Sequence, residues 1–230
     1  MREVARSPAA DGRPMGFTLL RVPFFLEPDY PTDPAFEETN RTRLLRKWGG
    51  KEGWDAQKAR HTLKERGREV GIEHFNLDRI ASNTLASHRM VQWVTRTLGI
   101  NAAESMYADL NMRHFEAGQK LNDVDMLVKA AEKVGADPRA ARSFIESNEG
   151  KDEIEAAQRR LASLGISGIP TLILGGKWQL PSGALGASTL VEVFRKIEQE
   201  GGAPGPPLFA GDLNLPANVV EETLELELTQ

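Results

Sequence analysis

The apolar and polar positions divide the chain into an apolar segment near its start, a long helical block and a short hairpin. Residues 16–26 are rich in β-branched and aromatic side chains, which predicts a strand. From residue 32 to Gly165 the apolar side chains recur at helical spacing. After that block, two apolar stretches flank Gly175 and Gly176, which predicts a buried strand, a two-residue turn and a second strand.

The helical block is predicted to contain successive helices that start at capping residues and often end at glycine. Asn101 and Glu104 resemble a capping box, and Asp137 precedes a proline at a first helical position. Ser188 is predicted to cap the closing helix. Helices are predicted over residues 41–48, 54–70, 122–134, 152–164 and 190–200. Another follows a cap at Asn83 and Thr84 and ends before Gly99, one follows Asn101 with an apolar stripe to His114, and one starts at Pro138.

The C-terminal part is predicted to be a linker followed by an acidic tail. Residues 201–207 consist of glycine, alanine and proline, a composition typical of linkers. In the tail, residues 223–228 alternate between apolar and acidic side chains, as a half-exposed strand does.

Composition limits the chemistry that the chain can perform. A length of 230 residues with 40% hydrophobic side chains allows a real core, and a net charge of −4 argues against nucleic-acid binding. The apolar runs are shorter than the roughly 20 residues that cross a bilayer, and the first residues do not resemble a secretory signal. Cytoplasmic localisation is therefore expected. The four histidines show no metal-ligand spacing, so neither a metal nor a cofactor is predicted, and the chain contains no cysteine.

Five short stretches give the chain a specific resemblance. They lie in this order and spacing at residues 23–28, 83–89, 115–118, 168–171 and 182–184. On these stretches, residues 16–200 resemble the FrnE-like branch of the DsbA family. Members of that family have a thioredoxin fold with a helical domain inserted before the cis-proline strand. They are described as disulfide oxidoreductases, and their relatives include kappa-class glutathione transferases and hydroxychromene-carboxylate isomerases.

The resemblance implies an α/β fold, an incomplete thioredoxin fold with a large all-helical insertion. Residues 1–31 and 166–200 would form the partial thioredoxin domain, residues 32–165 the insertion, and residues 201–230 the linker and acidic tail.

The front of the chain departs from the family pattern. Family members begin with a strand and a Cys-Pro-x-Cys helix start, whereas residues 2–8 here look like the end of that helix. We therefore expect the chain to be N-terminally truncated, without its first strand and cysteine pair. Loss of an inner strand would leave backbone groups unpaired, at about 1–3 kcal/mol for each buried group. Either the gap closes, a partner supplies a strand, or this half packs poorly. The acidic tail strand is a weak substitute, because the empty position is buried on both faces.

The resemblance also implies the candidate site residues. The backbone at Ile169, before a cis Pro170, would contact a substrate or a thiol partner, and Asn83 and His88 would shape the cleft beside it. The alternative for His88 and its neighbour Arg89 is an exposed helix surface on which both pair with carboxylates. No catalytic residue is predicted, because Ser7, the only serine near the empty position, precedes a proline.

Several functions remain open. The first is a thiol-disulfide oxidoreductase by descent that is inactive without cysteine. The second is a non-catalytic module that binds a peptide or another partner. The third is a longer native product that carries the cysteines upstream. A glutathione-dependent isomerase is the alternative activity. The expected partner is a peptide or a small thiol such as glutathione, and the sequence does not determine the oligomeric state.

Overall fold

The structure is a computed structural model that describes residues 1–8, 14–60 and 62–226, without the side chains of residues 63 and 64. Its helices, in chain order from α1 to α11, are Arg2–Arg6, Asn40–Lys47, Lys51–Lys58, Leu63–Glu69, Leu85–Leu98, Ile100–Asn111, Val124–Lys133, Pro138–Glu146, Lys151–Ser163, Ala187–Gln199 and Ala217–Val220. A π-helical turn, Met112–Glu116, follows α6. The strands β1 to β4 are Glu38–Thr39, Ile80–Ala81, Ile173–Leu174 and Trp178–Gln179. Among the described residues, every helix is too short or too polar to span a membrane.

The chain forms two compact units. Unit 1 contains residues 1–24, 92–103 and 149–230, and unit 2 contains residues 25–91 and 104–148. These borders divide the chain at other points than the predicted domains do. In particular, α9 and the described part of the predicted linker and tail belong to unit 1. The predicted domain borders stay a prediction.

In unit 2, capping side chains next to the helix starts determine where α7 and α8 begin. The side chain of Asp123 accepts a hydrogen bond from the N–H of Met126 at the start of α7. Asp137 caps α8 in the same way, with Pro138 at its first position. Side-chain caps of this kind stabilise a helix by about 1 kcal/mol. α7 and α8 pack against each other, and β1 pairs with β2 in antiparallel fashion.

The core of unit 1 draws on segments that are far apart in sequence. Phe209 and Leu213 are buried together with residues of α9, and this cluster packs against side chains of residues 20–24. A smaller cluster joins α1 to α10 through Val4 and Phe194. The segment after the glycine- and proline-rich linker therefore supplies buried side chains rather than only a tail.

The prediction of a strand at residues 16–26 is wrong, because these residues form no β-ladder with the rest of the described chain. Its carbonyl groups have other donors. The side-chain amides of Gln92 and Gln158 donate to the carbonyls of Arg21 and Pro23, at 2.7 and 2.6 Å. These bonds replace part of what a neighbouring strand would supply, since buried carbonyls need donors.

The predicted tail strand forms no strand within residues 223–226, and residues 227–228 lie outside the described residues. One backbone bond remains, from the N–H of Leu224 to the carbonyl of Phe17 at 2.6 Å. The tail thus contacts the segment that contains Phe17 without forming a strand with it in the described residues.

Glu222 makes a long-range contact that the pattern did not predict. Its carboxylate accepts the backbone N–H of Ile100 at 2.8 Å and the side-chain amide of Asn101 at 2.7 Å. A carboxylate at a helix start satisfies free N–H groups and opposes the positive end of the helix dipole. The predicted cap at Asn101 is wrong, since α6 begins at Ile100 and Asn101 already lies inside the helix.

Three further local predictions are wrong. The helix predicted at 54–70 is two helices, α3 and α4, and its apolar stripe is not buried, since Val70 is 73% exposed. The hairpin loop has three residues, because Leu174 pairs with Trp178, and its strands are half-buried. α10 begins at Ala187, so Ser188 lies inside its first turn instead of capping it.

Candidate functional site

The loop at residues 168–171 in unit 1 is held by hydrogen bonds on one side. The hydroxyl of Thr171 donates to the carbonyl of Gly168 at 2.7 Å and lies 2.5 Å from the hydroxyl of Ser182. The N–H of Gly183 donates to the carbonyl of Pro170 at 2.8 Å. Because Thr171 donates to Gly168, the short contact makes Ser182 the donor to Thr171. These bonds fix the loop against the residues that follow β4.

Ile169 is the exposed point of this loop. Its side chain is 50% exposed, and its peptide bond to Pro170 is cis. In the part of the chain that the structure describes, the N–H and C=O of Ile169 make no hydrogen bond. The loop therefore presents one donor, one acceptor and an apolar side chain that an extended peptide can use.

Asn83 lies in unit 2 at the start of α5. It is 6% exposed. Its amide donates to the carbonyl of Tyr30 at 2.6 Å, and its side-chain oxygen accepts the N–H of Leu85 at 2.8 Å. Both ends of the amide are thus used to start the helix and to hold the loop at Tyr30. The predicted role of Asn83 in a cleft stays a prediction.

His88 lies on the first turns of the same helix and is half-buried. Its ring makes an edge contact with Phe25, with ring centroids 5.1 Å apart. Asn83 and His88 thus belong to unit 2, whereas Ile169 and Pro170 belong to unit 1. The cleft role of His88 also stays a prediction.

Arg89 has a structural role that sequence reasoning missed. Its side chain is buried, at 4% exposure, so the alternative of an exposed surface pair is wrong for this residue. The guanidinium donates to the carbonyls of Phe144, Ile145 and Ser147 at 3.1, 3.2 and 2.9 Å. It therefore caps the C-terminal end of α8, where a cation is favoured by the free carbonyls and the helix dipole. The only signal in the sequence was its place in the stretch 83–89.

A charged network surrounds Tyr30 in unit 2. The Tyr30 hydroxyl donates to Glu38, and Arg46 bonds to both Tyr30 and Glu38 at 3.0 Å. Burial, together with the hydrogen bond and charge of Glu38, raises the pKa of Tyr30 to about 12. The bond from Arg46 lowers the pKa of Glu38. Tyr30 is thus a neutral donor and not a nucleophile near neutral pH.

The available groups do not support disulfide chemistry. The chain has six methionines and no cysteine, so its sulfur atoms are all thioethers. Among the described residues, no group of three or more histidine and acidic side chains lies close enough together to hold a metal ion. The absence of a cofactor stays a prediction.

An open concavity of about 460 Å³ lies on α9 in unit 1. Arg160 on its wall pairs with Asp212 at 3.2 Å, and Arg159 pairs with Glu155 at 3.7 Å. Its charges are balanced by these pairs, and it contains none of the predicted site residues.

Comparison with known proteins agrees with the fold. The model of the DSBA-like thioredoxin domain matches residues 55–195, which is more than half of the chain. A solved structure titled "probable DsbA oxidoreductase", from Streptomyces coelicolor, superposes with a TM-score of 0.63 at 24% identity. The match covers 77% of this chain and 74% of that one, a similarity that establishes the fold. No curated protein matches the chain.

Proposed function

Because this chain belongs to the DsbA-like thioredoxin-domain family, we propose that it binds an extended peptide without exchanging disulfides. The binding position is the loop at residues 168–171. The observation that carries the proposal is Ile169, whose half-exposed side chain sits between an N–H and a C=O that have no partner in the described chain. An extended peptide alongside would pair with both groups and cover the side chain.

The absence of catalysis follows from the chemistry of sulfur. Disulfide exchange needs a thiolate that attacks one sulfur of the substrate and a thiol that leaves. A methionine thioether has no proton to lose and cannot form a mixed disulfide that later resolves. These 230 residues therefore lack the nucleophile, whatever the fold positions around it.

Within the family, we place the chain in the FrnE-like branch. The support is the order and spacing of the five stretches between residues 23 and 184. A phylogeny of DsbA-like proteins tests this placement, and grouping of the chain with a different branch would overturn it. The predicted location is the cytoplasm, which fractionation of the source cells would test.

Activity is tested by turbidity during insulin reduction, with glutathione as the reductant. We expect the rate with pure protein to equal that of a buffer blank, because no thiolate is available. A rate that rises with protein concentration would refute the proposed lack of catalysis.

Binding is tested with insulin B chain whose cysteines have been blocked with iodoacetamide, so that exchange is excluded. We expect saturable binding that Ile169→Asp weakens by about tenfold, since a charge in place of a covered apolar side chain costs about 1.4 kcal/mol or more. Val70→Asp is the matched control, because Val70 is also an exposed apolar residue but lies in unit 2. Equal loss in both variants, or no binding, would contradict the assignment of the loop.

Glutathione provides a second arm of the same experiment, because it is a short peptide with a thiol. Binding of glutathione that Ile169→Asp abolishes, with no binding of the blocked B chain, would favour the isomerase-like alternative. If glutathione does not bind at about millimolar concentration, that alternative is removed. A dissociation constant of about 1 mM corresponds to a binding free energy of only about 4 kcal/mol.

A further inference from the structure

Unit 2 contains a small cavity of about 120 Å³ that the proposed function does not use. Its wall includes Arg43 and Arg79, the acidic residue Glu27, His114, and the apolar residues Phe115 and Leu121. About four water molecules occupy this volume in the liquid, so a small organic molecule fits.

Arg79 lies between two aromatic rings. Its guanidinium carbon is 5.2 Å from the centroid of Phe75 and 5.1 Å from that of Phe115. One nitrogen donates to the carbonyl of Asn76 at 3.1 Å. Burial lowers the pKa of Arg79 to about 10, and the nearby charge of Arg43 adds to this effect. The side chain is thus a desolvated cation whose fork has further donors to offer.

The wall that carries Arg79 is fixed by the backbone. The N–H of Asn76 donates to the carbonyl of Phe115 at 2.7 Å, and the N–H of Ile80 donates to the carbonyl of Gly118 at 3.1 Å. Gly118 has φ +80, and a side chain there would meet the amide of Asn76 at 2.6 Å. The position of Arg79 therefore does not depend on a ligand.

The charges around the cavity do not balance. Arg43 pairs with Glu27 at 2.7 Å, and Arg46 pairs with Glu38 at 3.0 Å. Arg79 has no carboxylate partner in the part of the chain that the structure describes. The two carboxylates, of Glu27 and Glu38, therefore face three guanidinium groups, those of Arg43, Arg46 and Arg79.

His114 does not change this balance of charge, because its ring is neutral. Its Nδ1 donates to the carbonyl of Gln119 at 2.9 Å. Burial lowers the pKa of His114, and the charges of Arg79 and Arg43 lower it further. Near neutral pH the ring is a neutral part of the wall, so the excess charge beside it is one positive unit.

We propose that this cavity binds a small aliphatic carboxylic acid, with its carboxylate on Arg79 and its chain against Phe115 and Leu121. A guanidinium fork matches the two oxygens of a carboxylate, and the charge-assisted bonds gain strength in a desolvated setting. The apolar wall accepts a short alkyl chain, whereas the second cation in the wall, Arg43, is already paired with Glu27 and so does not serve a multiply charged phosphate. One carboxylate also neutralises the one excess charge.

The test is saturation-transfer NMR on the full chain with butyrate, butanol and inorganic phosphate as separate probes. We expect saturable binding of butyrate at about millimolar concentration, with butanol and phosphate at least tenfold weaker. Arg79→Gln is expected to remove the preference of butyrate over butanol. Arg142→Gln is the control, because Arg142 is an exposed arginine of the same unit that does not line the cavity.

Leu121→Phe reduces the cavity while keeping Arg79, so it also tests the site if Arg79→Gln fails to fold. We expect this variant to lose butyrate binding at least tenfold. The proposal is overturned if butyrate does not bind, if phosphate binds as well as butyrate, or if butyrate binding survives in the folded Arg79→Gln or Leu121→Phe variant. Failure here leaves the peptide site at Ile169 untouched, because that site belongs to the other unit.

Discussion

The two compact units hold their irregular segments by different kinds of donor. In unit 2 the buried cation of Arg89 binds three carbonyls at the end of α8. In unit 1 the neutral amides of Gln92 and Gln158 bind two carbonyls of a segment beside which the described residues form no strand. Hydrogen bonds to charged groups contribute about 1.5–3 kcal/mol and neutral ones about 0.5–1.5 kcal/mol. The comparison teaches that the segment lacking a sheet partner is also the one held more weakly.

The largest effect is expected for Arg89→Leu. Three carbonyls at the end of α8 would lose a charged donor, so the free energy of unfolding should fall by about 3–5 kcal/mol. Urea unfolding followed by circular dichroism measures it. Arg142→Leu, on α8 itself, is the control, because Arg142 pairs at the surface and should cost less than about 1 kcal/mol. Equal losses for both variants would contradict the capping role.

Substitutions of Glu222 test whether the loss of unfolding free energy depends on the charge of the bonding group or on the unit in which it lies. This carboxylate is the charged exception in unit 1, since it accepts the N–H of Ile100. Glu222→Ala should lower the free energy of unfolding by about 1–2 kcal/mol, and Glu222→Gln by about half as much, because the amide still accepts a bond. Glu221→Ala, at an exposed neighbour, should have little effect in the same urea measurement. A full loss in Glu222→Gln would instead assign the whole effect to charge.

Gln158→Leu tests the hydrogen bonds that the neutral glutamine amides donate to residues 21 and 23. The carbonyl of Pro23 would lose its donor while the apolar body of the side chain is kept, so we expect a loss of about 1 kcal/mol. Gln199→Leu, at an exposed glutamine of the same unit, is the matched control. A loss as large as that of Arg89→Leu would break the comparison between the units.

The smallest effect is the pH dependence that His114 gives to unit 2. Its pKa in the folded chain is lowered by burial from 6.5, so between the two values the unfolded chain binds a proton that the folded chain does not. Stability contributed by this group is therefore present above pH 6.5 and falls as the pH decreases. Urea unfolding at several pH values should show a shallower slope for His114→Phe than for the unchanged protein. His74→Phe, at an exposed histidine, should keep the slope.

The sequence predicted the features that local chemistry decides. Asp137 lies three residues from the N–H group that it caps, so the start of α8 could be placed from the pattern alone. The helix predicted over 122–134 is α7, which begins two residues later because Asp123 is its cap. The family resemblance also gave the fold, which the match over residues 55–195 confirms.

Features that depend on distant partners could not be predicted. Glu222 is 122 residues from the helix start that it caps, and Gln158 is 135 residues from Pro23. The β-branched content of residues 16–26 predicts a strand only if a partner lies beside it, which a single segment does not reveal. For the same reason the sequence did not reveal that Arg79 lacks a carboxylate partner in the described chain. That property depends on which carboxylates Arg43 and Arg46 bind.

A chain without thiols has a practical consequence for its exposed loop. Ile169→Cys would create a single reactive sulfur at a half-exposed position. A maleimide fluorophore would therefore label that site alone, and its emission would report directly when a peptide covers the loop.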